Sequence, residues 1–112
     1  MPRYVFVVMT NSVDGKDDQF NEWYSGRHLD DVVALPPYVS AQRFRLAPTS
    51  PEQEAPHRYL ALYEVESDDL DKTRELLASV VRTDAMPWTD SIDEPTIKGW
   101  YYEPITEIVK KD

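Results

Sequence analysis

The chain has 112 residues, no cysteine and a formal net charge of −9. That length suits a single domain, residues 1–112, with one modest core. The acidic balance argues against nucleic acid and anionic membrane surfaces, which need clustered Lys and Arg, and the lack of cysteine excludes disulfides and thiolate metal sites.

The first strand is predicted from Arg3 to Met9, apolar at nearly every position and so expected to be buried on both faces. Its apolar run is too short for a signal segment or a membrane span, so no membrane partner is expected and the protein is expected to be cytoplasmic. Asp14-Gly15 marks a turn. Asp17 and Asp18 then favour a helix start, where carboxylates suit the helix dipole. Phe20, Trp23, Tyr24, His28, Val32 and Leu35 recur at steps of three and four, which puts them on one helix face. Pro36-Pro37 ends this helix near Leu35.

A second strand is predicted from Tyr38 to Leu46, with Val39, Ala41, Arg43 and Arg45 on one face. Residues 47–56, rich in Pro and Glu, predict a loop without core residues. Arg58 to Glu66 predicts a third strand, antiparallel to the second, with Tyr59, Ala61, Tyr63 and Val65 on one face. Ser67 is the expected N-cap of a second helix, whose apolar stripe is Leu70, Leu77, Val80 and Val81, ending near Arg82. Residues 83–96 form a long connection whose Met86, Pro87 and Trp88 suit something other than a solvated linker. Ile97 to Ile105 predicts the last strand, containing Trp100, Tyr101 and Tyr102.

The order β-α-β-β-α-β predicts an α+β, ferredoxin-like fold: a four-stranded antiparallel sheet with both helices on one face. The other face keeps apolar area that a monomer rarely leaves exposed, so two copies are expected to pack sheet on sheet as an isologous homodimer.

His28 sits in the middle of an otherwise core-facing stripe, and Asp31, three residues on, is within reach of its ring. An inward histidine with a carboxylate to fix its tautomer can serve as a general acid/base; it can equally be a satisfied core histidine. Arg43 and Arg45 bind a substrate carboxylate or enolate if their face lines a pocket, and pair with acidic residues if it lines an interface. Tyr63, Trp88 and Trp100 are candidate walls for a planar hydrophobic ligand, or plain core. Two histidines without cysteines give no zinc spacing, and three glycines supply no phosphate loop, so neither a metal nor a nucleotide cofactor is expected.

Trp23-Tyr24, His28, Val32-Val33, Leu35-Pro36 and Tyr38 together resemble the EthD-like branch of the dimeric α/β-barrel superfamily. The chain departs from that pattern at Asp30, where a proline is common, and at Pro36-Pro37, where Pro-Gly is common. The resemblance implies a pair of such domains forming a dimeric α/β barrel, and a pocket between helices and sheet lined by the first-helix histidine. By position it makes His28 and Tyr24 acid/base partners, to which the helical spacing adds Asp31 to orient His28. The expected activity is cofactor-independent proton transfer on a hydrophobic, aromatic carbonyl compound, with isomerase, cyclase or lyase outcomes. A cofactor-free monooxygenase and a non-catalytic small-molecule-binding or stress-associated module remain the alternatives.

Overall fold

The computed structural model describes residues 1–48 and 55–112. The Pro/Glu loop expected over 47–56 therefore lies, at residues 49–54, outside the described residues. The sheet is built from β1 (Arg3–Thr10), β2 (Tyr38–Arg45), β3 (Tyr59–Glu66) and β4 (Lys98–Tyr102). Its order is β2-β3-β1-β4 and every neighbouring pair is antiparallel, the ferredoxin-like arrangement read from the element order.

The helical layer carries α1 (Asp17–Trp23), a π-helical turn (Tyr24–His28), α2 (Leu29–Val33) and α3 (Leu70–Val80). Asp17 and Asp18 occupy the first turn of α1, and Gly15 takes a left-handed φ of 82° in the turn before it, a conformation glycine adopts without a Cβ penalty. The cap of α3 differs from expectation. Asp69 is the N-cap and its carboxylate accepts from the Lys72 N–H, while Ser67 stands outside, accepting from the Asp69 N–H and bonding the Thr73 hydroxyl at 2.6 Å. The charged acceptor, favoured by the helix dipole, takes the position. β4 also ends earlier than expected, at Tyr102.

On β3, Tyr59, Ala61, Tyr63 and Val65 are buried against the helices. Their partners Tyr38, Ala41, Arg43 and Arg45 lie on the same side. A bulge between Tyr38 and Ser40 resets the alternation, so Tyr38 rather than Val39 joins that face. Phe6 pairs with Tyr101, while Val7 pairs with Trp100 and Val5 with Tyr102. Alternation thus turns Tyr101 toward the helices and Trp100 and Tyr102 toward the uncovered face, where they are 55% and 56% exposed. Among the described helices none is long and apolar enough to cross a membrane.

Candidate active site

The helix carrying His28 is not a continuous α-helix. Ser25-Gly26 lies at its centre, two residues of weak helix propensity, and there the Leu29 N–H donates five residues back to the Tyr24 carbonyl. Residues five apart are about 140° apart around an α-helix, too far to stack. The π turn closes that gap: the Trp23 and His28 rings lie 4.5 Å apart at 22°. Such single π turns recur at functional sites.

The stack borders a cavity of about 670 Å³ between the helices and the sheet. Phe6, Val8 and Tyr101 form its floor, and Leu70, Leu77, Ala78 and Val81 of α3 one wall. Tyr24, His28 and Val32 form the opposite wall, and Trp88 with Ile92 closes one end. The connection over residues 83–96 is therefore not a free loop but a packed cover on its own chain. Met86 and Ser91 are fully buried within it, Ile92 bridges to Ser12, and Trp23 Nε1 donates to the Pro87 carbonyl at 3.1 Å. Arg82, in a left-handed conformation at φ 72°, turns the chain out of α3 into this cover and pairs with Glu94.

His28 is 7% exposed. Its ring meets Trp88 and Tyr24 edge-on, and its Nδ1 is buried without a hydrogen-bond partner. Burial holds the imidazole pKa down to about 4, and the charge of Asp31 opposes this only in part, so the ring is neutral at physiological pH. Asp31 does not orient it as the spacing suggested. Its carboxylate takes both hydrogen bonds from Arg27 Nε, at 2.9 and 3.2 Å, because the i,i+4 guanidinium outcompetes a neutral ring at i,i+3. Asp31 reaches His28 through its field alone.

Tyr24 Oη lies 3.1 Å from Tyr63 Oη, both buried, and burial raises both phenol pKa values. A mutual hydrogen bond uses one of their two protons, leaving the second to donate into the cavity. Arg43 does not line the cavity. Its guanidinium lies 4.5 Å from the centre of the Tyr24 ring and 5.3 Å from those of Phe20 and Tyr59, and it donates to Ser25 Oγ at 2.8 Å. This is cation–π packing behind Tyr24. Arg45 is exposed beside Tyr59 and does not border the cavity either. Trp88 lines it with a buried, unpartnered Nε1 and carries Arg82 over its ring at 4.7 Å. Trp100 borders it only from the edge strand, its side chain on the uncovered face.

Two residues that matter here were not singled out from the sequence. Tyr101, rather than Trp100 or Tyr102, faces the cavity; it stacks on Phe6 at 4.1 Å and bonds Tyr38 Oη at 2.7 Å. Arg74 lines the cavity from α3. Its signal was available, because it stands four residues after Leu70 and three before Leu77, inside the apolar stripe. Among the described residues no three His, Cys, Asp or Glu side chains converge as metal ligands.

No family model matches the sequence, and no curated protein matches it. Among solved structures, the chain is similar to that of an ethyl tert-butyl ether D (EthD) family protein from Bacillus halodurans. The match covers 94% of this chain and 100% of that one at 14% identity, with a TM-score of 0.53. At that identity the likeness is one of fold: this chain has the four-stranded, two-layer architecture of an EthD-family structure.

Proposed function

We propose that the protein is a cofactor-independent enzyme that moves a proton on a planar, hydrophobic carbonyl compound, with His28 as the base. The observation that carries this reading is a buried, neutral His28 whose ring lines a cavity of about 670 Å³ and whose Nδ1 has no hydrogen-bond partner. A neutral imidazole that the fold does not hold at that nitrogen has a hydrogen-bonding site to spare, and aromatic walls suit a flat ligand. In the proposed step the C–H bond next to the carbonyl breaks, its proton passes to His28, and its electron pair moves onto the carbonyl oxygen. The spare proton of the Tyr24–Tyr63 pair hydrogen-bonds that oxygen, and Arg43 behind the Tyr24 ring strengthens Tyr24 as a donor. Return of the proton to another carbon gives isomerisation; attack of the carbanion on a second carbonyl gives cyclisation.

A crystal soaked with 2-tetralone or 1-phenylbutane-1,3-dione tests this. The expected result is the ligand in the cavity with an acidic carbon beside the His28 imidazole. A ligand elsewhere, or one whose carbonyl carbon skeleton stays clear of the imidazole, overturns it. The low basicity of His28 favours one second reading, a non-catalytic binding module in which the neutral ring only donates or accepts a hydrogen bond. On that reading His28→Gln weakens binding several-fold and there is no turnover to lose.

The same proposal includes a homodimer through the uncovered sheet face. A contiguous apolar sheet face is surface that a monomer rarely leaves open to water. Phe44, Trp100 and Tyr102 lie exposed on that face, where a second copy covers them.

A further inference from the structure

The cavity is apolar and aromatic apart from one charge. Leu70, Arg74, Leu77, Ala78 and Val81 of the α3 segment line it, and at 3.6 residues per turn these positions share one helix face. Arg74 is exposed, so its guanidinium borders the cavity from the solvent side and keeps its hydration there. No Asp or Glu lines the cavity among the described residues. The nearest pairing for Arg74 is with Asp71, at 3.8 Å with side chains 62% and 87% exposed, a contact worth little in water. The guanidinium therefore stands at the solvent edge of an apolar cavity with a loosely held counter-charge.

Tyr101 supplies the second half of the arrangement. It lines the cavity, whereas Tyr38, its 2.7 Å hydroxyl partner, does not. The one Tyr38 proton has two acceptors, the Thr73 carbonyl at 3.4 Å and Tyr101 Oη at 2.7 Å; on the shorter contact it leaves the Tyr101 proton free to point into the cavity. The two hydroxyls then form a relay whose last donor strengthens as it meets an anion. Arg74 acts on both phenols, opposing the rise that burial imposes on each pKa, so its charge is felt at the Tyr101 end of the cavity.

We propose that Arg74 and Tyr101 form a carboxylate-binding subsite, so that the substrate is an aromatic acid bearing its reactive carbonyl at the His28 end. This deepens the proposed function and rests on the cavity taking a planar carbonyl compound. The carboxylate accepts from the guanidinium and from the Tyr101 hydroxyl, while the ring lies over Phe6 and the α3 aliphatics. Such a two-point contact also fixes which end of the molecule meets His28. The long-range field of an acidic protein disfavours anions, so the discrimination must come from this local cation.

The test compares 2-naphthoate with 2-naphthamide, which share shape and differ in charge, by calorimetry and by quenching of Trp23 and Trp88. The wild type is expected to bind the carboxylate about tenfold or more tightly than the amide, the usual scale for a charge-assisted contact. Arg74→Gln is expected to remove that preference by weakening the carboxylate alone. Arg74→Lys keeps part of it, and Tyr101→Phe costs a few-fold. Equal affinities in the wild type, a preference unchanged in Arg74→Gln, or no naphthoate binding at millimolar concentration each overturns the subsite. His28→Gln is expected to retain the preference, so a failure of the proton-transfer reading and a failure of the subsite give different results.

Discussion

Protonation of His28 is the perturbation whose size follows most directly from the structure. The unfolded chain binds a proton near the ordinary histidine value of about 6.5, whereas burial holds the folded ring to about 4 against the charge of Asp31. Between these values the unfolded state carries the extra proton, so stability is full above about pH 6.5, falls as pH drops, and levels off below about pH 4. The linkage relation puts the loss at about 2–3 kcal/mol by pH 4.5, a large fraction of the stability of a small domain. The chain also holds 21 Asp and Glu, so the measurement is a difference. Urea unfolding of wild type and His28→Gln is compared at pH 7.5 and pH 4.5, and the wild type is expected to lose about 2–3 kcal/mol more than the variant. An NMR titration of the imidazole gives the folded value directly. Equal losses in the two proteins, or an imidazole titrating at or above the ordinary value, would refute the claim that desolvation outweighs Asp31.

Three further outcomes follow from the packing. Tyr24→Phe or Tyr63→Phe strands one buried hydroxyl and is expected to cost about 1–3 kcal/mol, while the double variant costs less than the sum; additive losses in a double-mutant cycle would show that the pair is not coupled. At Gly26 an added Cβ meets nothing within 4 Å, so Gly26→Ala is expected to raise stability by about 0.5–1 kcal/mol, and a lower melting temperature would mean that the π turn depends on that glycine. Light scattering is expected to give twice the 13.0 kDa chain mass for wild type and a shift toward monomer for Trp100→Asp; a wild-type monomer at micromolar concentration removes the interface.

The fold was legible because each element carried its own period. The alternation of Tyr59, Ala61, Tyr63 and Val65 marks a half-buried strand, and the spacing of Phe20, Tyr24, His28 and Val32 marks one helix face. The details that decide chemistry were less legible. Ser25-Gly26 weakens the helix, but only hydrogen bonding selects a π turn and so stacks Trp23 on His28. The Asp31 carboxylate had two candidates at helical spacing, and the charged one, Arg27, holds it. Alternation placed Arg43 and Arg45 on one face without saying which way it points; the register with Ala61 and Tyr59 turns it toward the helices, where aromatic rings take Arg43 before any ligand does. A charge on a helix usually means solvent, and Arg74 is indeed exposed; the cavity shows that it also stands at the rim of the site. The connection over 83–96 was the reverse case: Met86 and Trp88 are too apolar for a linker, and both pack.

Proton transfer by His28 is the centre of the proposed function, and solvent exchange measures that step alone. Deuterium uptake at the acidic carbon of 2-tetralone or 1-phenylbutane-1,3-dione, followed by NMR in D₂O, is expected to be faster with the wild type than in buffer. In folded His28→Gln it is expected to fall by about 10²-fold or more, the usual contribution of a positioned base. Exchange at the same rate in wild type, variant and buffer would mean that His28 moves no proton on these compounds and leave the cavity as a binding site without chemistry.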